Sequence, residues 1–369
     1  MCHGTRLRTS GVWTSLGGNK KRGRRMTDRI AIVGCGYFAA FHHEAWARMP
    51  GVEVVAVCDR EPAKAEAVRA AHHPAATVFD DVARMLDETG PSLVDIVTPP
   101  ATHAPLVALC AARGIDVICQ KPLAPDLEAA RRLVDEAEAA GIRLAVHENF
   151  RFQPWFREAR RLIDGGRFGA LHSVAFRMRP GDGQGPRAYL DRQPYFQKMD
   201  RFLVHETAVH LIDTFRMLMG EVATLYADLR RINPAIAGED AGYILLGFET
   251  AATGLVDGNR LNDHVAENTR LTMGEMWLEG EGGVLRLDGS GGLHWKPHGG
   301  AEAEHGYAWQ NRGFGGDCVF ATNAHIVEAW RAGAAAQNEG WAYLRNMELV
   351  DAAYRSSEAG RRLDVRAVS

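Results

Sequence analysis

No window of this chain reaches 18 consecutive apolar residues, so nothing in it is long enough to cross a bilayer as a helix. Cysteine is scarce as well. The six cysteines (Cys2, Cys35, Cys58, Cys110, Cys119 and Cys318) form no C-x-x-C pair and no disulfide-like spacing, which fits a reduced, cytoplasmic protein. Neither sign of charge dominates: 43 basic residues stand against 46 acidic ones, giving no electrostatic case for a nucleic-acid or membrane partner. Metal-ligand patterns are missing too. The adjacent pairs His42/His43 and His72/His73 lack the i, i+4 spacing that aims two imidazoles at one ion, and no H-E-x-x-H or thiolate cluster occurs, so no catalytic metal is expected.

The near-neutral total hides an asymmetry. Residues 1–29 hold eight Lys/Arg against Asp28 alone; taking these from the totals leaves 35 basic and 45 acidic residues, a net of −10. Residues 1–25 are basic, rich in Gly, Ser and Thr, and carry no apolar h-region, which argues against a secretory signal. A disordered tail, a transit-like segment, or upstream sequence before a true start at Met26 remain as readings, and the position of Met26 just before the first strand favours the last. At 369 residues the chain suggests two domains, each with its own core. The expected division is a basic, disordered extension over 1–27, a nucleotide-binding domain over 28–148 and a substrate domain over 149–369.

What is present is most informative between Ala31 and Trp46, AIVGCGYFAAFHHEAW. An apolar run, Ile30 to Val33, ends at Gly34-Cys35-Gly36-Tyr37-Phe38-Ala39. A helix-compatible segment follows, then a second apolar run, Val52 to Cys58, that stops at Asp59. Strand, glycine turn, helix, strand and acidic end together form the dinucleotide fingerprint. Gly34 permits the tight turn, Gly36 lets backbone approach a pyrophosphate, and Ala39 lets the helix pack close to its strand. Free N–H groups at the new helix, beginning near Tyr37 and Phe38, face the phosphates. Asp59 accepts from the ribose hydroxyls and repels a 2′-phosphate, which predicts NAD; Arg60 beside it can accept that phosphate, so some NADP use is expected.

Beyond Asp59, strands alternate with helices of about 10–15 residues, which means a doubly wound parallel sheet with its ligand site at the strands' carboxyl ends. Helices are expected over Glu61–His72, Asp80–Glu88, Thr102–Arg113 and Pro125–Ala140, and strands over Leu93–Val97, Ile115–Cys119 and Ile142–His147. The grammar changes near residue 149. After a helix from Pro154 to Gly165, short strands separated by Gly, Asn and Asp turns indicate a mainly antiparallel open sheet, interrupted by a helix over Glu206–Met219. Two helices close the chain. The class is therefore α/β plus α+β.

Three strings carry chemistry. In VDIVTPPATH, Thr98, Pro99 and Pro100 leave the strand, Thr102 is placed to cap the next helix, and His103 opens it; on a nucleotide-binding sheet this turn lies along the cofactor. VICQKPLA puts Gln120 and Lys121 at the end of the fifth strand. A lysine there is costly unless it meets a ligand or a carboxylate, although an isolated strand-end lysine is commonly solvated. HETAVHLIDTFRMLMGE places Glu206, His210 and Asp213 at roughly 0°, 40° and −20° on one helical stripe. That stripe suits proton exchange by His210 oriented by a carboxylate; the plain alternative is a satisfied histidine beside two solvated acids.

Taken in order, GxGxxA with Asp59, TPPATH, a lysine–proline at the fifth strand end, and a carboxylate four before a helical histidine resemble the glucose–fructose oxidoreductase/inositol dehydrogenase/rhizopine-catabolism family over residues 28–369. The resemblance implies an amino-terminal NAD(P) domain, an open sheet carrying substrate contacts, and a homodimer or homotetramer. Lys121 matches the lysine of the family's Glu-Lys-Pro motif and His210 its helical histidine. Two departures stand out: Gln120 replaces the usual Glu, and Glu206 the usual Asp. The strings VICQKPLAP, HENFRFQPW, GEMWLEGEGGVLRLDG and GFGGDCVFAT look like a branch that contains D-apiose dehydrogenases, which oxidise a branched pentose to its lactone. The expected chemistry is hydride transfer between a sugar or polyol carbon and NAD, an inositol-type substrate being the alternative. His210 takes the hydroxyl proton, Lys121 holds the oxygen, Glu206 and Asp213 position substrate or His210, and Asn149 and Arg151 bind hydroxyls. A non-catalytic dinucleotide sensor on the same fold and a methyltransferase are the rivals; the first needs no lysine–histidine pair and the second has no use for one.

Overall fold

The computed structural model describes residues 28–366; the readings of residues 1–27, including Cys2, fall outside them. Each apolar run of the first half becomes a strand followed by a helix that returns the chain to the same end. The order is β1 (Asp28–Val33), α1 (Ala39–Ala47), β2 (Val52–Cys58), α2 (Pro62–His72), β3 (Thr77–Phe79), α3 (Val82–Thr89), β4 (Leu93–Ile96), α4 (His103–Ala111), β5 (Asp116–Gln120), α5 (Leu127–Ala139) and β6 (Leu144–His147). The strands lie in the order β3-β2-β1-β4-β5-β6, all parallel. The switch in direction between β1 and β4 opens a crevice at their carboxyl ends, where the glycine turn sits. Local signals act as expected at two helix starts: the Asp81 and Asp126 side chains accept the Arg84 and Ala129 N–H groups at 2.7 and 2.8 Å. Thr102 does not cap α4. A single 3₁₀ turn over Pro100–Thr102 intervenes, and the Thr102 hydroxyl donates back to Pro99 O at 2.8 Å.

The second half runs α6 (Pro154–Asp164), β7 (Leu171–Met178), α7 (Val209–Met219), β8 (Val222–Arg230), β9 (Ala241–Phe248), β10 (Thr253–Asn259), β11 (Gly274–Gly280), β12 (Gly283–Leu287), β13 (Leu293–Pro297), β14 (Ala303–His305), α8 (Cys318–Arg331), α9 (Gly340–Ala359) and β15 (Leu363–Asp364). Its nine strands pair in the order β14-β13-β12-β11-β7-β10-β9-β8-β15. All neighbours are antiparallel except β7 and β10, which run parallel with Leu255 opposite Ala175. Burial alternates along β9 and β11, so one face is covered and the other open. α7 lies on the covered face, and Gly254 of β10 makes room for it: a Cβ there would sit 3.2 Å from the ring of Phe215.

The two sheets share one continuous apolar cluster, which runs from Val33 and Ile96 through Phe150 to Leu211 and Phe215. α8 returns to the first sheet, where Ile326 and Val327 join Ile30 and Ile32. Among the described residues no helix is long and apolar enough to cross a membrane, and the five described cysteines are free thiols. Phe215 is fully buried between α7 and the sheet. Phe215→Ala should therefore cost about 3–5 kcal/mol of stability, read as a lowered denaturant midpoint.

Candidate active site

The glycine turn is built by contacts that only glycine allows. Gly34 has φ +112°, and a Cβ on it would lie 2.3 Å from Val97 O, so β1 and the turn after β4 touch through bare backbone. Its N–H donates to Cys58 O at 2.8 Å. Asp59 ties the next step: its Oδ2 accepts the Cys35 N–H at 2.8 Å and its Oδ1 the Glu61 N–H at 2.9 Å. The carboxylate is half-buried, and Arg60 beside it is exposed. Above Gly36 a Cβ would meet nothing within 4 Å, and no side chain caps α1, so the first amides of α1 are left for an anion.

The neighbouring histidines His42 and His43 face different tasks. His43 Nε2 lies 3.1 Å from Gly34 O and its Nδ1 3.2 Å from His73 Nε2, bracing the turn from beneath. His42 belongs to a chain of hydrogen bonds that reaches the fifth strand end. The Lys121 N–H donates to Gln120 Oε1 at 2.8 Å, which fixes the amide. Gln120 Nε2 then donates to His42 Nε2 at 3.1 Å, and His42 Nδ1–H donates to Asp95 Oδ2 at 2.8 Å, an oxygen also bound by Trp46 Nε1 at 2.6 Å. Burial pushes Asp95 up, but His42 and Trp46 outweigh it and hold the carboxyl below its usual range.

Lys121, from the first sheet, meets Glu206 from the second half. Its Nζ donates to Glu206 Oε1 at 2.6 Å and to Glu206 O at 2.8 Å, with both side chains about nine-tenths buried. The Lys121–Pro122 peptide is cis. Glu206 lies ahead of the α-helix expected over Glu206–Met219: Leu203–Ala208 forms a π-helical turn before α7, and Glu206 lines the same cavity as His210. Glu239 holds this turn open, accepting the N–H groups of Phe202 and Val204 at 3.2 and 3.0 Å.

The imidazole of His210 stacks on Phe150 with centroids 4.0 Å apart. Its Nδ1 is bound by Glu148, immediately after β6, rather than by Glu206 or Asp213. The expectation that either acid orients His210 is thus corrected. Glu148 was not singled out in the sequence, although an acid at the carboxyl end of a buried strand is the same signal that marked Lys121; Asp95, inside an apolar strand, gave a similar one. Burial, and then the Lys121 ammonium, hold His210 well below its ordinary value, so it is neutral near pH 7. Burial and the nearby Asp213 push Glu148 upward, against Lys121 and Arg151. With Nδ1–H donated to Glu148, Nε2 carries the free lone pair.

One cavity is lined by Tyr37, Phe38, Thr98, Pro99, Gln120 and Lys121 from the first half, and by Asn149, Glu206 and His210 beyond it. The ammonium, the imidazole and the glycine turn therefore share one space. Asn149 is buried and its Oδ1 has no partner. Gly34, Gly36, Asp59 and Arg60 lie outside its lining, and three other expected residues are held elsewhere. Arg151 and Asp213 pair with each other, two bonds at 2.6 Å, because Asn346 of α9 also donates to Asp213 at 2.7 Å and draws the pair to a second cavity. His103 is fully buried, its nitrogens 3.1 and 2.9 Å from Leu123 O and Thr98 O, so it braces two turns instead. Among the described residues no group of three His, Cys, Asp or Glu side chains could hold a metal.

Residues 29–148 match the model of the oxidoreductase family with an NAD-binding Rossmann fold, and residues 156–286 match the carboxyl-terminal domain of the same family. The chain belongs to the glucose–fructose oxidoreductase/inositol dehydrogenase/rhizopine-catabolism family. It is an NAD-binding oxidoreductase. A D-apiose dehydrogenase of Paraburkholderia graminis is 34% identical over 350 residues, covering 92% of this chain and 90% of the relative. Another, from Rhizobium rhizogenes, is 31% identical over 92% of this chain and 97% of its own length. An oxidoreductase from Agrobacterium radiobacter, solved with NAD+, L-tartaric acid and magnesium, superposes with a TM-score of 0.82 at 30% identity, over 91% of this chain and 98% of that one.

Buried neutral histidines give the family's glycine turn here a pH limit. Burial holds His43 at about 4 and His73 at about 3, below the 6.5 of a free imidazole. Above pH 6.5 folded and unfolded chains are both neutral at these sites; below it the unfolded chain takes up protons first. Stability should therefore be flat above that pH and fall as pH drops toward 4, His43 alone costing about 2–3 kcal/mol near pH 4.5. Thermal midpoints across that range check this, and a flat profile down to pH 4 would contradict it.

Proposed function

We propose that the chain is an NAD-dependent dehydrogenase of sugars or polyols, with D-apiose or a related aldose oxidised to its lactone as the leading substrate. The observation that carries this is the shared cavity: an ammonium and a neutral imidazole beside the dinucleotide turn. The two D-apiose dehydrogenases similar over more than nine-tenths of the chain support the substrate.

Bound NAD supplies the hydride acceptor. His210 Nε2 takes the proton of the substrate hydroxyl as hydride leaves the same carbon. Glu148, holding Nδ1–H, keeps the ring oriented and balances the charge it gains. Lys121 donates a hydrogen bond to the reacting oxygen and stabilises its developing negative charge. Glu206, the partner of Lys121, fixes where that ammonium points. The unpartnered Oδ1 of Asn149 is available to accept from a further sugar hydroxyl. Asp59 favours NAD over NADP, the exposed Arg60 setting how strictly.

NADH formation followed across aldoses, branched pentoses and inositols tests this reading. The branched pentose should be oxidised fastest, with NAD preferred over NADP. Lys121→Ala and His210→Ala should each lower kcat by about 10²–10⁴-fold while cofactor affinity stays nearly constant. Turnover within a few-fold of the parent would remove those roles. Tight NAD binding with no oxidation of any sugar would instead favour the sensor.

Glu148→Gln separates orientation from charge. The amide still accepts Nδ1–H but no longer stabilises an imidazolium, so kcat should fall about tenfold or more and the acid limb of its pH profile should move to lower pH. A purely structural role would lower kcat without moving that limb.

A further inference from the structure

The same cavity has a cationic side that the proton chemistry leaves unused. Arg192, Arg260 and Arg270 all line it. Arg260 is only 2% exposed and fully engaged: Nη2 and Nε donate to Asp182 at 2.8 and 3.2 Å, Nη1 donates to Thr207, and the guanidinium lies over Tyr189, Phe196 and Phe202. Arg192 Nη2 donates to the same Asp182 oxygen at 2.8 Å. Arg270 stands 3.7 Å from that oxygen, beyond hydrogen-bond range. Three guanidiniums thus share one carboxylate, while Lys121 is already paired with Glu206. Arg192 and Arg270 are 21% and 26% exposed, and both approach the ring of Tyr37, with centroid distances of 5.8 and 5.9 Å. Tyr37 directly follows Gly36 of the pyrophosphate turn.

Two partly buried, incompletely paired guanidiniums side by side are unfavourable unless an anion joins them. Burial and the Arg192 charge lower the pKa of Arg270, the direction expected for crowded like charges. The chain beyond residue 29 is net acidic, so this surplus is local to the cavity. Guanidinium forks match oxyanions with paired hydrogen bonds. We propose that Arg192 and Arg270 form an oxyanion subsite at the boundary between the two halves, filled by the dinucleotide's pyrophosphate or by a carboxylate or phosphate on the substrate. The second source rests on the dehydrogenase reading; the first does not.

The test uses the full chain and Arg192→Gln, Arg270→Gln and Arg270→Lys. Calorimetry gives the affinity for NAD, ADP-ribose and adenosine, which carries no phosphate. Turnover gives the kcat/KM ratio between neutral aldoses and aldonic or uronic acids. If the pyrophosphate is the occupant, ADP-ribose binding weakens about tenfold or more in the Gln variants, adenosine binding is unchanged, and Arg270→Lys keeps most of the affinity. If the substrate supplies the anion, cofactor binding stays constant and the loss, again about tenfold, is confined to acidic sugars. Parental ADP-ribose affinity together with a parental ratio of neutral to acidic sugars overturns the subsite. Inorganic pyrophosphate titrated against the unmutated chain and against Arg270→Gln gives a second readout: competition with ADP-ribose or with acidic sugars that weakens in the variant supports the subsite, and competition equal in both chains, or with neither probe, sinks it. An inactive parent that still loses ADP-ribose affinity on Arg270→Gln would end the dehydrogenase reading and leave the subsite standing.

Discussion

One ammonium, held out of bulk water, is the interaction on which the cavity depends. Lys121 leaves the first sheet at a point where its charge has little solvent, and the carboxylate that compensates it comes from the other half of the chain. Such a pair adds little net stability over apolar packing, because both ions give up hydration; removing one partner, however, strands the other at a cost of about 3–5 kcal/mol. The pair therefore acts as a specificity device. It is complete only when the end of β5 and the turn before α7 meet, which is the arrangement that brings His210 beside the dinucleotide turn.

Around that pair, the buried titratable groups are sorted by what each can reach. His42 has Asp95 on one nitrogen and an amide on the other, so its tautomer is determined. His43, one residue away, points across the glycine turn, and burial keeps it neutral. His210 has a carboxylate on Nδ1 and the cavity at its other side. Three histidines of similar ordinary acidity thus differ in role through burial and partner, and only the last combines a lone pair with access to a ligand.

The first half was legible because its signals are local. Strand, turn and helix each announce themselves within a dozen residues, and glycine at φ +112° is dictated by contact with Val97 O. The open antiparallel sheet was legible as a class for the same reason. The parallel pairing of β7 and β10 was not, since both strands read alike whichever neighbour they take. Lys121 and His210, which line one cavity, stood out in the sequence because charged residues at strand ends and on apolar helices are costly. Asp213 was placed by a helical stripe, which says which side chains share a face, not what lies opposite; here its partner is Arg151, itself expected to bind substrate. Asn346, 133 residues beyond Asp213, decides that and leaves no mark near either. Glu148 was missed through attention to i, i+4 spacing, although its position after β6 carried the same signal as Lys121.

The replacement of the family's usual glutamate by Gln120 follows from the chain of bonds it joins. A carboxylate at that place could not donate to His42 Nε2; the contact would survive only with His42 protonated, between Asp95 and a second acid. The amide completes the chain with no added charge: it accepts from the Lys121 N–H and donates to His42. In this chain the carboxylates Glu206 and Glu148 are bound to Lys121 and His210. Gln120 therefore serves as the neutral support that holds the start of the Lys121 turn in place.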